Sequence, residues 1–199
     1  MRKLTFLAVI CGLFFLPSLA QAQQGDAMFG FGTIMSPGAD SCNNDSGCPE
    51  KGGLYPSVGA DVILHRRIGF GFDVSWKATQ GLYGGAGGTP FRPILLDFNG
   101  IYQPKITKRV GLDLFGGVGF QSTRFYTGNY TCSYVSCTDF SSTHHFLIDA
   151  GGGIRYYVWK HAFVRPEVRY YWIDNNISQF SGNNVLRVGA SIGYTIGPD

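Results

Sequence analysis

The sequence predicts an all-β protein, an eight-stranded antiparallel up-and-down transmembrane β-barrel. Three observations predict it. Apolar and polar residues alternate repeatedly over segments of about ten residues, the period of a strand with two unlike faces. Short and long connections between these segments follow one another in strict order. The polar face of each segment also carries many of the chain's 29 glycines.

The chain of 199 residues opens with "MRKLTFLAVICGLFFLPSLAQAQ". Arg2 and Lys3 form a basic start, Leu4 to Leu16 an apolar run, and Ala20-Gln21-Ala22 a small-x-small cleavage site. Residues 1–22 therefore read as a secretory signal peptide, the run being short for a spanning helix. Residues 23–199 are one domain's worth of chain, the barrel itself. The formal net charge of +3 includes two basic residues of the signal peptide, and nothing in the chain points to nucleic acid.

The predicted strands fall near 27–36, 55–65, 69–79, 92–103, 109–121, 144–158, 162–174 and 184–196. The first places Gly30 and Gly32 on one face. In the second, Val58, Ala60, Val62 and Leu64 oppose Gly59, Asp61 and His65. In the third, Phe70, Phe72, Val74 and Trp76 oppose Asp73, Ser75 and Lys77. The fourth sets Ile94, Leu96, Phe98 and Tyr102 against Asp97, Asn99 and Gln103. The fifth sets Val110, Leu112, Leu114, Val118 and Phe120 against Asp113 and Gln121. In the sixth, Phe146, Ile148, Ala150, Ile154 and Tyr156 oppose Asp149 and Arg155. The seventh, "FVRPEVRYYW", carries Arg165, Glu167 and Arg169 on one side and Val164, Val168, Tyr170 and Trp172 on the other. In the eighth, Leu186, Val188, Ala190, Ile192 and Tyr194 oppose Arg187, Ser191 and Thr195.

Three connections are short, "HRRIG", "QPKITKR" and "WKHA"; the long ones cover 37–54, 80–91, 122–143 and 175–183. This is the hairpin pattern of outer-membrane barrels, with short periplasmic turns and long external loops. A sandwich mixes long crossovers at both ends.

The charged face belongs inside. Solvent-facing strands have no need of glycines at Gly59, Gly71, Gly111, Gly117, Gly119, Gly151, Gly153, Gly189 and Gly193. A narrow barrel does, because long side chains need space beside small ones. The charges also come near balance: Asp61, Asp73, Asp97, Asp113, Asp149 and Glu167 against Lys77, Arg155, Arg165, Arg169 and Arg187. Enclosed charges must be paired, and these can form a lumen charge network. Aromatic belts are expected from Trp76, Phe91, Tyr126 and Trp172 at the long-loop end and from Tyr102, Trp159, Phe163 and Tyr194 at the short-turn end. Pro166 requires a place where the ladder can lose a hydrogen bond. A soluble barrel with an apolar lumen and polar exterior is the rival; it would demand either water-facing Phe70, Phe72, Leu112, Leu114 and Trp172 or a reversal in which all the enclosed charges face out.

The stretch "DAGGGIRYYVWKHAFVRPEVRYYW" followed by "NVLRVGASIGYTI" resembles the β-barrel domain of small OmpA/OmpX-like outer-membrane proteins. The resemblance is best over 144–196 and rests on general pattern over 26–143. It implies a bacterial outer-membrane location, with membrane lipid, lipopolysaccharide and the barrel-assembly machinery as partners. Val188, Ala190, Ile192 and Tyr194 match the closing strand, whereas Ile196 stands where similar proteins end on an aromatic residue.

Cys42 and Cys48 ("CNNDSGC") and Cys132 and Cys137 ("CSYVSC") read as two local disulfides of an exported protein. A four-cysteine metal site would need two separate loops to converge. His144 and His145 follow Ser141 and Ser142, a pairing that could serve acyl hydrolysis, with His145 on the lumen side. "GLYGGAGGTP" lacks the GK[ST] ending of a phosphate-binding loop. The expectation is thus a monomeric, non-enzymatic outer-membrane barrel without cofactor or metal. It would serve envelope integrity or surface interaction through disulfide-tied external loops. A small-solute channel and a lipid A-modifying hydrolase are the alternatives.

Overall fold

The computed structural model describes residues 24–36, 52–65, 67–83, 88–132, 137–176 and 182–197. The expected signal peptide at 1–22, Cys42 and Cys48 lie outside them. Nine strands follow in order: β1 (Gln24–Met35), β2 (Tyr55–His65), β3 (Ile68–Trp76), β4 (Gly81–Tyr83), β5 (Thr89–Tyr102), β6 (Val110–Cys132), β7 (Cys137–Tyr157), β8 (Ala162–Ile173) and β9 (Asn184–Ile196). All neighbouring pairs are antiparallel, and β1 pairs with β9. The pairing of β3 with β5 closes the ring. The eight long strands form the closed up-and-down barrel, and β4 only extends β5 above its rim.

The alternation in sequence becomes the two faces of the wall. Buried and exposed positions alternate along β8 from Phe163 to Ile173 and along β5 from Phe91 to Tyr102. Large apolar side chains cover the outside, with Phe70 at 65% and Ile192 at 67% exposure. In water that surface would forfeit roughly 25 cal/mol per Å² of unburied apolar area. A continuous apolar wall of this kind suits lipid.

Three expectations need correction. The spacer at 122–143 is mostly strand: β6 and β7 pair as far as Cys132 and Cys137, with a register shift between Tyr126 and Thr131. Its Thr, Ser, Tyr and Phe residues suit a two-stranded ribbon, and their polarity disguised it as loop. Second, Phe91 and Phe163 do not join the outer aromatic belts; they are buried inside. Both sit next to a strand end, where β parity rather than residue type sets the direction. Third, β3 stops at Trp76, leaving Lys77 just beyond it.

Pro166 sits within β8 opposite Ala190 of β9. On its other side the β7–β8 ladder is interrupted between Gly153↔Glu167 and Tyr156↔Val164, with no change of register across the gap. The missing N–H is accommodated by that gap rather than by a bulge. Glycines make the narrow bore possible: a Cβ on Gly193 would run into the Phe163 ring, and one on Gly71 into the Asp61 carboxylate.

Candidate functional site: the charged lumen and the barrel ends

Inward parity brings ionisable side chains from all eight long strands into one enclosed network. Arg155 of β7 donates from Nη1 to Asp26 of β1 (2.5 Å) and from Nη2 to Asp113 of β6 (2.9 Å). Asp61 of β2 lies 3.7 Å from the same nitrogen. Arg165 of β8 reaches Asp61 (3.3 Å), Asp113 (3.2 Å) and Glu167 (2.8 Å). Arg187 of β9 joins Glu167 (3.3 Å) to Asp73 of β3 (3.2 Å). Arg169 of β8 pairs with Asp97 of β5, and lies 3.8 Å from Asp149 of β7 and 4.0 Å from Asp73. The pairs form one unbroken chain running up the bore.

Two aromatic rings support it. The Arg155 guanidinium lies 4.0 Å from the Phe163 ring centroid, and that of Arg169 lies 4.3 Å from Phe115. Guanidinium groups tolerate such partly dry stacking better than ammonium groups do, which suits arginine to this interior. With Arg155 at 2% exposure, water screens these charges little.

The structure places Asp61, Asp73, Asp97, Asp113, Asp149, Arg155, Arg165, Glu167, Arg169 and Arg187 together. Lys77 is buried at the long-loop end, its Nζ 5.2 Å from the Phe91 ring. Asp26 belongs to the network and escaped the sequence reading. β1 begins at Gln24, three residues before the expected start at 27, although the parity of Gly30 and Gly32 already points position 26 inward. With Asp26 included, the near balance of six acids and five bases becomes seven against five, counting the Lys77 ammonium at the long-loop end. The carboxylates Asp26, Asp61, Asp73, Asp97, Asp113, Asp149 and Glu167 meet the guanidiniums Arg155, Arg165, Arg169 and Arg187.

The lumen is layered. At the long-loop end Ile34, Tyr55, Leu95, Leu147, Tyr171, Ile173 and Val185 form an apolar plug above the charges. Among Asp61, Asp73, Asn99, Phe115, Arg165 and Arg169 the remaining void is about 10 Å³, roughly the space of one water. Ile63, Ile101 and Phe115 form a smaller cluster towards the short turns. Such a bore is filled by its own side chains, as expected of eight strands.

His145 does not join the network. Its Nδ1 donates to the Asp174 carbonyl (2.9 Å) at the long-loop end, above the plug. In register, Ser122 and Gln121 face His144 and His145, while Arg124 and Phe125 face Ser142 and Ser141. The β6 register partners of the two histidines, Ser122 and Gln121, are both uncharged. Cys132 and Cys137 are register partners at the end of the β6–β7 hairpin. Among the described residues, no group of three or more His, Cys, Asp or Glu is arranged to hold a metal ion.

That hairpin rises past its neighbours. The β5–β6 pairing ends at Phe91↔Phe125 and the β7–β8 pairing at Leu147↔Ile173. From Cys137 to His145, β7 therefore has a strand partner on one side only, among the described residues. Phe140 is packed against Tyr126 (6.1 Å between centroids), and the Arg124 guanidinium lies 4.9 Å from the Phe140 ring.

No family model and no curated protein matches this sequence. Solved structures do share its fold. Neisserial surface protein A is 15% identical with a TM-score of 0.59, over 86% of this chain and 95% of that one. Ail, the attachment invasion locus protein of Yersinia pestis, is 11% identical with a TM-score of 0.53, over 88% and 100%. The N-terminal β-barrel domain of Pseudomonas aeruginosa OprF is 12% identical with a TM-score of 0.52, over 88% and 100%. The fold is that of small eight-stranded outer-membrane barrels.

Proposed function

We infer that the protein is an integral barrel of the bacterial outer membrane, exported by a signal peptide at 1–22. It is non-enzymatic and presents the β6–β7 hairpin at the cell surface for interaction with a partner. The observation that carries this reading is an apolar outer wall with the β6–β7 hairpin extending beyond the strand pairings on either side of it. A hairpin raised on a rigid barrel is a ready site of contact with another molecule. One barrel of similar fold, Ail, is named as an attachment invasion locus protein.

In this reading Cys132 and Cys137 form a disulfide that holds the hairpin tip, and Cys42 and Cys48 tie the first long loop. The filled bore and apolar plug favour a structural lumen over a conducting one. Cysteine labels at Ser46 and Gly85 should react on intact cells, while one at Thr107 should not; labelling at Thr107 alone reverses the topology. Planar-bilayer conductance above the bare-membrane level would favour the channel. A mass change in lipid A from expressing cells would favour the hydrolase.

A further inference from the structure

Among the described residues, the short-turn end of the barrel carries an excess of basic charge. Arg67 follows β2, Lys105, Lys108 and Arg109 lie between β5 and β6, and Lys160 lies between β7 and β8. All five side chains are exposed, and none makes an ion pair among the described residues. Two adjoining cavities lie between them, of about 400 Å³ and 690 Å³, sharing Gln24, Lys105, Gly111 and Tyr157 in their walls. The inner one contains one carboxylate, Asp113, which Arg155 and Arg165 already engage. The outer one contains none.

The turn that bears three of these cations is held in shape. Ile106 and Thr107 N–H both donate to the Val110 carbonyl (2.9 Å each), Leu112 N–H to Pro104 (3.0 Å), and Tyr157 N–H to Arg109 (2.9 Å). Three buried polar atoms of residues that line the cavities have no hydrogen-bond partner among the described residues: the donors Gln103 Nε2 and Thr195 Oγ1 and the carboxylate oxygen Asp113 Oδ1. All three lie beneath the cavity surface, which leaves the exposed cations to meet an anion first. The outer cavity is walled by apolar residues too, Val110, Val158 and Trp159, and Trp159 is 76% exposed. Exposed cations and an indole at one edge of the apolar wall match an amphiphile with a phosphate head.

We propose that this end of the barrel binds an anionic phospholipid. Its phosphate is held by Lys105, Lys108, Arg109 and Lys160, and its acyl chains lie along the outer wall beside Trp159. The proposal rests on the membrane reading above and adds a specific lipid to it. The acidic excess of the lumen begins at Asp113 in the wall of the inner cavity, so the anion is held at the outer rim rather than drawn into the bore.

The test is native mass spectrometry of the detergent-refolded barrel offered equal amounts of phosphatidylglycerol and phosphatidylcholine. At least tenfold greater retention of phosphatidylglycerol is expected. That preference should vanish in the Lys105→Gln, Lys108→Gln, Arg109→Gln, Lys160→Gln variant while its folded gel mobility is kept. On the unchanged protein it should also collapse as salt approaches about 1 M, where charges are screened within about 3 Å. Equal retention of both lipids, or a preference that survives either the substitutions or the salt, overturns the proposal. Soluble glycerol phosphate is expected not to compete at equal concentration; displacement mole for mole would reassign the site to a soluble phosphate. Binding in detergent is blind to orientation, so the Thr107 label fails or succeeds independently.

Discussion

Replacing Arg155 with Met keeps the side chain's length and removes its charge. Asp26 then loses its 2.5 Å cation partner and, among the described residues, retains the Gln24 amide at 3.0 Å. Asp113 and Asp61 are left to share Arg165, at 3.2 and 3.3 Å. Stranding a buried charge in this way costs about 3–5 kcal/mol, and the stacking on Phe163 at 4.0 Å is lost as well. Glu167→Gln is the contrasting change. It removes one carboxylate from a lumen that already holds more carboxylates than guanidiniums. Arg165 keeps Asp61 and Asp113, and Arg187 keeps Asp73 at 3.2 Å. The loss is then that of charge-assisted hydrogen bonds, about 1.5–3 kcal/mol. Urea unfolding from lipid vesicles, followed by tryptophan fluorescence and by gel mobility, measures both. Arg155→Met is expected to be the more damaging by about 2 kcal/mol, the difference between those ranges. A Glu167→Gln barrel as unstable as Arg155→Met, or more so, would refute the reasoning from acidic excess.

On the outer wall, Val168→Arg should cost about 2–4 kcal/mol near mid-membrane, against little for Val168→Ala; the same unfolding assay checks both. Tolerance of Val168→Arg would mean that the two faces are assigned the wrong way round. Converting Cys132 and Cys137 to Ser should cost about 2 kcal/mol, the loop-entropy value for so small a ring. The loosening should be confined to the hairpin, as read by amide exchange over 126–146. Gly193→Val should push against the Phe163 ring and destabilise by about 1–3 kcal/mol, as overpacking does. Paired with Phe163→Ala it should recover part of that loss, and a double variant with no recovery would separate the two positions.

Much of this barrel is legible in the chain because a strand's side-chain period is two. Once the polar face of "FVRPEVRYYW" is known to be the inner one, parity alone turns Arg165, Glu167 and Arg169 inward and Val168, Tyr170 and Trp172 outward. The alternating connections likewise imply closure, since hairpins that share a handed twist and leave no edge must meet. Parity carries no information about height along the bore or about which strands stand opposite one another. Those depend on register and stagger around the ring, which bring Arg155 to Asp26 across the β1–β9–β8–β7 arc although 129 positions separate them in the chain. Polar composition also hid how far the β6–β7 hairpin extends, because a two-stranded ribbon in water needs no apolar face to give it away. Only the closed tertiary structure stacks an apolar plug above the charges and gathers the basic turns at the other end. Local alternation chooses a side of the wall for each residue; the shear of the closed sheet chooses its neighbours.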